Sequence, residues 1–246
     1  MEDKIFGRNP VLEAIKSGRT IDKILIKKGK YEGSIVPIIK RAKEQRIIIQ
    51  EVERQKLDEI AKGQNHQGIV AYVSEFEYAL VKDILERAKA KGEPPMVIIC
   101  DKITDPHNLG AILRTANCVG AHGVIIPKRG SVGLNGVAVK TAAGAAEYTP
   151  VARVTNISQT ISELKNEGLW ICAADMDGAS IYKSDLKGAL GIVIGSEGEG
   201  ISRLVKENCD FTVSIPMQGD INSLNASVAA GVVMYEALRQ RMECEK

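Results

Sequence analysis

Aromatic side chains are scarce, 4% of 246 residues with a single Trp, which argues against an RNA-binding surface built from stacked rings. Only three histidines occur, His66, His107 and His122, and none stands at metal-ligand spacing from another His or a Cys. The five cysteines, Cys100, Cys118, Cys172, Cys209 and Cys244, are odd in number and widely spaced, with no CxxC pair. They point to neither a zinc ribbon nor a disulfide framework, and most are expected to be small buried apolar residues in a reducing compartment. No apolar run approaches the roughly 18 residues of a membrane span. The opening MEDKIFGRNP is too charged for a secretory leader. The expectation is a soluble, cytoplasmic protein with no membrane partner.

What is present suits a globular chain. Apolar residues make up 44% and charged residues 26%, and the length fits one or two domains that need no disulfide or metal staple. Net charge is only +2, but it is unevenly spread. Residues 1–50 carry twelve Lys/Arg against six Asp/Glu, whereas residues 101–246 carry fourteen against sixteen. A basic first segment on a near-neutral body suits a polyanion-facing end; an ordinary solvated lysine face is the plain alternative.

Hydrophobic periodicity divides the chain in two. In the first part Asn9-Pro10 reads as a helix start, Val11, Leu12 and Ile15 follow at helical spacing, and Gly18 can end the helix. Strands are expected at 21–26, 47–49 and 68–76, and helices at 35–42 and 57–61, giving a three-layer α/β unit over residues 1–76. Residues 77–95, ending in Gly92-Glu93-Pro94-Pro95, read as a linker that includes a helical stretch from Leu80 to Lys91. From residue 96 to 246, short apolar runs at 96–100, 123–126, 169–173, 190–194 and 211–215 alternate with helical patterns, as in a mostly parallel sheet. A last helix is expected from Asn222 to Met242, capped by Asn222 or Ser223.

Three polar clusters follow strand patterns, where parallel sheets collect ligands. Asp105 to Ala116 brings Asn108 and Arg114 six residues apart on a helix, expected to share a face and to suit a phosphate or hydroxyl; alternatively Asn108 caps the helix and Arg114 is a surface charge. Gly195-Ser196-Glu197-Gly198-Glu199-Gly200 allows close backbone approach to a ligand, or is simply a tight turn. Its glycine spacing is neither GxGxxG nor a Walker loop, and its two acids favour a cationic or zwitterionic ligand over a triphosphate. Ile215 to Ser227 delivers Asn222, Ser223 and Asn225 to a helix start, as a polar site or an ordinary cap.

Taken together, DPHNLGAILRTA, IVIGSEGEGIS and IPMQGDINSLNASVAAGVVMYE resemble the three motifs of the SpoU (TrmH) family of RNA ribose methyltransferases, in the SPOUT superfamily. FGRNPVLEAI and NHQGIVAYV resemble the amino-terminal domain of its rRNA guanosine-2'-O-methyltransferase branch. The resemblance spans nearly the whole chain. It implies a small ribosomal-protein-like α/β RNA-binding domain, and a carboxyl-terminal SPOUT domain with a mostly parallel sheet and a deep trefoil knot. It implies S-adenosylmethionine as cofactor, a homodimer, and methyl transfer to a ribose 2'-hydroxyl, here of a guanosine in 23S rRNA. Alternatives are a tRNA ribose methyltransferase and a non-catalytic RNA-binding ribosome-assembly factor; DNA is not expected as a partner. The family's catalytic positions fall on Asn108, Arg114, Glu197, Ser223 and Asn225, and its cofactor-contacting positions on Gly195, Ile215 and Leu224. The resemblance assigns Arg114 the proton of the attacking hydroxyl, but a guanidinium that stays protonated fits a phosphate clamp equally well. Arg8, Lys27, Lys28, Lys30 and Arg41 are expected to grip RNA phosphates.

Overall fold

The computed structural model describes residues 3–17, 19–73 and 76–244. They form two compact units that divide between Glu77 and Tyr78.

The first unit contains β1 (Asp3–Phe6), α1 (Arg8–Lys16), β2 (Ile21–Lys27), α2 (Ile35–Glu44), β3 (Ile48–Val52), α3 (Arg54–Ala61) and β4 (Ile69–Val73). Its sheet runs β1-β4-β2-β3, with β4 antiparallel to both neighbours and β2 parallel to β3. Because side chains alternate along a strand, β2 feeds two cores. Ile24 and Ile26 pack with Val11, Ile15 and Ile38 of α1 and α2. Leu25 packs with Leu57 of α3, Val70 and Tyr72. The three expected layers follow from that alternation.

α1 starts two residues before the expected Asn9-Pro10. Its N-cap is Gly7, at φ 92, a left-handed value that costs a side-chain-bearing residue but not Gly. The amide of Arg8 donates to Gln67 Oε1 at 3.0 Å, so a distant glutamine takes the role expected of Asn9. Pro10 is tolerated because first-turn amides lack intrahelical partners. Gly18, the expected helix end, lies outside the described residues, as do Ser74 and Glu75 of the expected 68–76 strand.

The second unit contains α4 (Val81–Lys91), β5 (Met96–Cys100), α5 (Pro106–Cys118), β6 (Gly123–Pro127), α6 (Gly136–Thr141), α7 (Ala145–Tyr148), β7 (Val151–Val154), α8 (Ile157–Asn166), β8 (Trp170–Ser180), β9 (Leu190–Ile194), α9 (Arg203–Glu207), β10 (Phe211–Ser214) and α10 (Ala226–Cys244). The six strands are all parallel, in the order β10-β8-β9-β5-β6-β7. Strands β5, β6, β8 and β9 supply buried runs such as Ile98, Ile99, Val124 and Ile192, as expected of strands covered on both faces. The 77–95 segment carries α4, whose Ile84 and Ala88 are buried; Ile84 joins the same core as Val97 and Ile125. Tyr78 accepts the Leu134 amide at 2.8 Å.

The last helix starts at Ala226, four residues later than expected. Asn225, rather than Asn222 or Ser223, is its cap: its Oδ1 accepts the amides of Ser227 (3.0 Å) and Val228 (3.3 Å). Of the cysteines, Cys100 and Cys172 are buried and Cys209 is half-buried, but Cys118 is exposed.

Arg241 of α10 donates to the carbonyls of Pro94, Pro95 and Gly188, at the amino ends of β5 and β9. Beside them His122 is buried; its Nδ1 accepts the Met96 amide at 3.0 Å while Nε2 meets Glu93 at 3.1 Å. Burial depresses the imidazole below its ordinary value, outweighing Glu93. The unfolded chain therefore binds a proton that the folded chain does not, and stability falls on acidification. The urea midpoint of the wild type should drop between about pH 7 and about pH 5, and by less in His122→Asn; equal drops would remove His122 as the cause.

Candidate active site

Strand order reverses at the β5/β9 pair: the chain proceeds from β5 outward through β6 and β7, then returns to β9 through β8. Loops from the carboxyl ends of adjacent strands diverge there and leave a crevice. The loop after β5 leads into α5, with Asp105 capping the His107 amide at 2.9 Å and Pro106 at the first helical position. The loop after β9 is a tight turn closed by reciprocal backbone hydrogen bonds between Ser196 and Gly200, 3.1 and 3.0 Å. A Cβ on Gly195 would overlap the Gly200 carbonyl and the Ile201 amide, so only glycine permits this closure. Asp101, which ends β5, is buried and accepts the Ser202 amide at 2.7 Å, pinning the two loops together.

Three side chains from three motifs meet in the crevice. Asn108 Nδ2 donates to Glu197 Oε1 at 3.0 Å. Asn225 Nδ2 donates to Asn108 Oδ1 at 2.9 Å and also to Glu197 Oε1. Glu197 is thus a carboxylate acceptor for two amide donors, a charge-assisted arrangement. The same Asn225 caps α10 with its other amide atom, so one residue ties the helix start to the carboxylate.

Two clefts border this cluster. The larger, about 690 Å³, is lined by Gly195, Glu197, Ile215, Ser223 and Leu224, together with Asp175 and Met176 from the extended end of β8. Among the described residues no Lys or Arg lines it, whereas Asp175, Glu197 and Glu199 do. The smaller, about 480 Å³, contains Lys102, Asp105, Asn108 and Gly130, and shares Ser196 to Glu199 with the first. Burial raises the thiols of Cys100, Cys172 and Cys209 to about 12, so none offers a thiolate nucleophile near neutrality.

Seven of the eight site residues expected from sequence therefore gather around one turn. Arg114 does not. Six residues along a helix amount to about 120° of net rotation and about 9 Å of rise, so Asn108 and Arg114 do not share a face. Asn108 is buried; Arg114 is exposed and forms no hydrogen bond or ion pair with any described residue. Sequence reading missed Asp101, Lys102 and Asp175. The signal for Asp101 was an acid directly closing an apolar strand; for Asp175 and Lys102 there was none.

In the first unit a separate cleft of about 790 Å³ gathers Arg8, Lys27, Lys28, Lys30 and Arg54. Arg8 is held there by Gln67 (Nε to O, 3.2 Å) and Ser34 (3.3 Å). Arg41 lies instead in the last turn of α2, and Arg54 takes its place among the clustered cations.

A parallel α/β sheet with an acid-lined cleft, free of cations among the described residues, at the carboxyl ends of β8, β9 and β10, in one chain with a small α/β unit that has a basic cleft, defines a nucleic-acid enzyme that takes a positively charged co-reactant. Residues 95–235 match the SpoU rRNA methylase family, and residues 4–79 match the RNA 2'-O ribose methyltransferase substrate binding domain. The chain belongs to the SpoU family and is an S-adenosylmethionine-dependent RNA 2'-O-ribose methyltransferase. It is 47% identical over 240 residues to YacO of Bacillus subtilis (strain 168), which carries a TrmH family tRNA/rRNA methyltransferase name; the match covers 97% of this chain and 96% of that one. A similarly named Staphylococcus epidermidis protein is 50% identical over 249 residues, covering 100% and 99%. Among solved structures, the SpoU methyltransferase AviRb from Streptomyces viridochromogenes, in complex with AdoMet, shares the fold with a TM-score of 0.63 at 24% identity, covering 98% of this chain and 91% of that one. The A. aeolicus TrmH/SpoU tRNA modifying enzyme has a TM-score of 0.56 at 28% identity, covering 66% and 86%.

The double use of Asn225 allows its roles to be separated. Asn225→Ala should lose both the cap, about 1 kcal/mol of stability, and the site. Asn225→Asp should keep the cap but set a carboxylate against Glu197 and the Asn108 carbonyl, so methyl transfer should collapse although the cap survives. Full activity in Asn225→Asp would show that the amide on Glu197 is dispensable.

Proposed function

We propose that the chain methylates the 2'-hydroxyl of a guanosine in 23S ribosomal RNA, acting in the cytoplasm as a homodimer. The observation that carries the site assignment is the Asn108–Glu197–Asn225 cluster, whose Glu197 lies in the wall shared by two clefts. The larger cleft fits S-adenosylmethionine. Its carboxylates and lack of cations suit a sulfonium and disfavour a triphosphate, and its volume lies in the range of small-molecule sites. Ile215 and Leu224 would enclose the adenine, and the backbone at Gly195 its polar edge. The carboxyl-terminal knot of the family belongs to this region: residues 213–217 and 222–224 wall the cleft together with the turn after β9, which supports that reading.

When bound, S-adenosylmethionine supplies an electrophilic methyl for in-line attack by the ribose oxygen. Asn108, fixed at both ends of its amide, would orient that ribose, and Ser223 and Asn225 would hold polar atoms of cofactor or target. Placement of this kind contributes several kcal/mol of rate enhancement. Arg114 completes the site from the partner protomer, clamping the target phosphate beside the hydroxyl. Two features support the dimer. Arg114 stands exposed and unpartnered, away from the cluster in its own chain. On α10, which packs beside α5 near Thr115, Val228, Tyr235 and Met242 recur every seven residues and are each more than half exposed, an uncovered apolar stripe. The substrate-binding domain match and its basic cleft support an RNA substrate; ribosomal RNA is preferred to tRNA because the amino-terminal segments resemble the rRNA branch and the family matched over 95–235 is described as an rRNA methylase family.

Mapping 2'-O-methylation in ribosomal RNA and tRNA from a strain lacking the gene tests the substrate; loss of a tRNA mark instead of a 23S guanosine mark would reassign it. Calorimetric titration with S-adenosylmethionine tests the enzyme reading, and absence of binding would favour an assembly factor.

Arg114→Ala should abolish turnover and leave cofactor affinity intact. Mixing Arg114→Ala with Glu197→Ala protomers should restore activity that neither has alone; no restoration despite mixed dimers would place both residues in one protomer's site. Replacing Arg8, Lys28 and Arg54 with Gln should weaken RNA binding and flatten its salt dependence, with cofactor affinity unchanged.

A further inference from the structure

The smaller cleft has a feature that the methyl-donor site does not use. Lys102, the first residue of the loop beyond Asp101, is the one cation among the residues that line it. Its ammonium meets Glu199 Oε2 at 2.5 Å across the cleft mouth. Glu199 stands near the tip of the Ser196–Gly200 turn, two residues beyond Glu197, its amide donating to Ser196 Oγ at 3.2 Å. Lys102 holds φ 59, a left-handed conformation that lysine adopts at a cost and Gly or Asn would adopt readily.

We propose that Lys102 is a phosphodiester-binding subsite for the RNA strand beside the target ribose, and that Glu199 occupies it while RNA is absent. The inference rests on the proposed reading of the active site and adds to it the group that takes the neighbouring phosphate. A ribose whose 2'-oxygen reaches a methyl held in the larger cleft lies against Glu197, in the wall common to both clefts. The phosphate on its adjacent 3'-carbon would then reach the smaller cleft. The other carboxylates there are engaged: Glu197 accepts from Asn108 and Asn225, and Asp105 caps the His107 amide.

Glu199 is suited to be displaced. The side chains of Lys102 and Glu199 are 43% and 72% exposed, and an ion pair so solvated contributes little net stability and weakens with salt. Their contact holds Lys102 protonated and Glu199 ionised, each shifted by the other. A carboxylate therefore stands where a phosphate oxygen would bind, and when released it turns into solvent.

The test uses the full-length protein and measures binding of protein-free ribosomal RNA, and in a parallel series bulk tRNA, over a range of salt concentrations, with S-adenosylmethionine affinity measured separately. Lys102→Ala should weaken RNA binding several-fold and lower the salt slope by about 1, as expected for one phosphate contact. Lys102→Arg should restore both. Glu199→Gln should tighten RNA binding, and the double variant should match Lys102→Ala, because Glu199 acts only through Lys102. S-adenosylmethionine affinity should be unchanged in the two single Lys102 variants; Glu199 also lines the larger cleft, so its variants are read by RNA binding alone. Wild-type RNA affinity and slope in Lys102→Ala would overturn the subsite. So would loss of S-adenosylmethionine binding in Lys102→Ala, which would make the pair a brace for the turn. A wild type that neither binds nor methylates RNA would instead overturn the functional reading itself.

Discussion

The acceptance of two amide donors by one carboxylate oxygen organises the second unit's chemistry. Glu197 lies on a turn after β9, Asn108 in the first turn of α5, and Asn225 at the start of α10. These segments are 28 to 117 residues apart in pairwise hydrogen bonds, and nothing local would hold them together. Asn108 is buried, and a buried amide left without partners is costly; Glu197 accepts from its Nδ2 and Asn225 donates to its Oδ1. The cost of leaving Asn108 unpaired thus ties three segments together. The turn after β9 walls both clefts, and the start of α5 walls the smaller one.

The parallel sheet makes this meeting feasible. All six strands point the same way, so every strand-to-helix loop in question emerges on one side. The switch between β5 and β9 keeps two such loops from crossing and leaves the space they line. The opposite edge of the sheet is tied down differently, by Arg241 on the Pro94, Pro95 and Gly188 carbonyls and by His122 on Met96. Order at one end and an open crevice at the other is the division of labour common to such sheets. The first unit separates its functions similarly: α1, α2 and α3 bury both faces of its sheet, while loops after β2 and before β4 carry the basic cleft.

Charge sorts the ligands. Among the described residues, the larger cleft of the second unit has carboxylates and no cations, and the cleft of the first unit has five cations. The proposed sulfonium and phosphate ligands therefore match different places, although net charge over the chain is nearly zero. The smaller cleft stands between these extremes, with one lysine already matched to a carboxylate.

Periodicity and composition alone determined which stretches become buried strands, because runs such as Met96–Cys100 and Leu190–Ile194 are apolar enough to be covered on both sides whatever their neighbours. Motif order determined the family and the three polar clusters. β1 and β7 carry too little pattern to be read, unlike the equally short but more apolar β10, and the start of α1 is shifted because its first amide is satisfied by Gln67 of a distant segment. The cap of α10 is Asn225 because Glu197 and Asn108 hold it, which no local propensity encodes. Tertiary structure alone decided that Asn108 turns inward while Arg114, on the same helix, faces away. Helical geometry allows each residue one direction, and only the packing of α5 against its neighbours selects which face is buried.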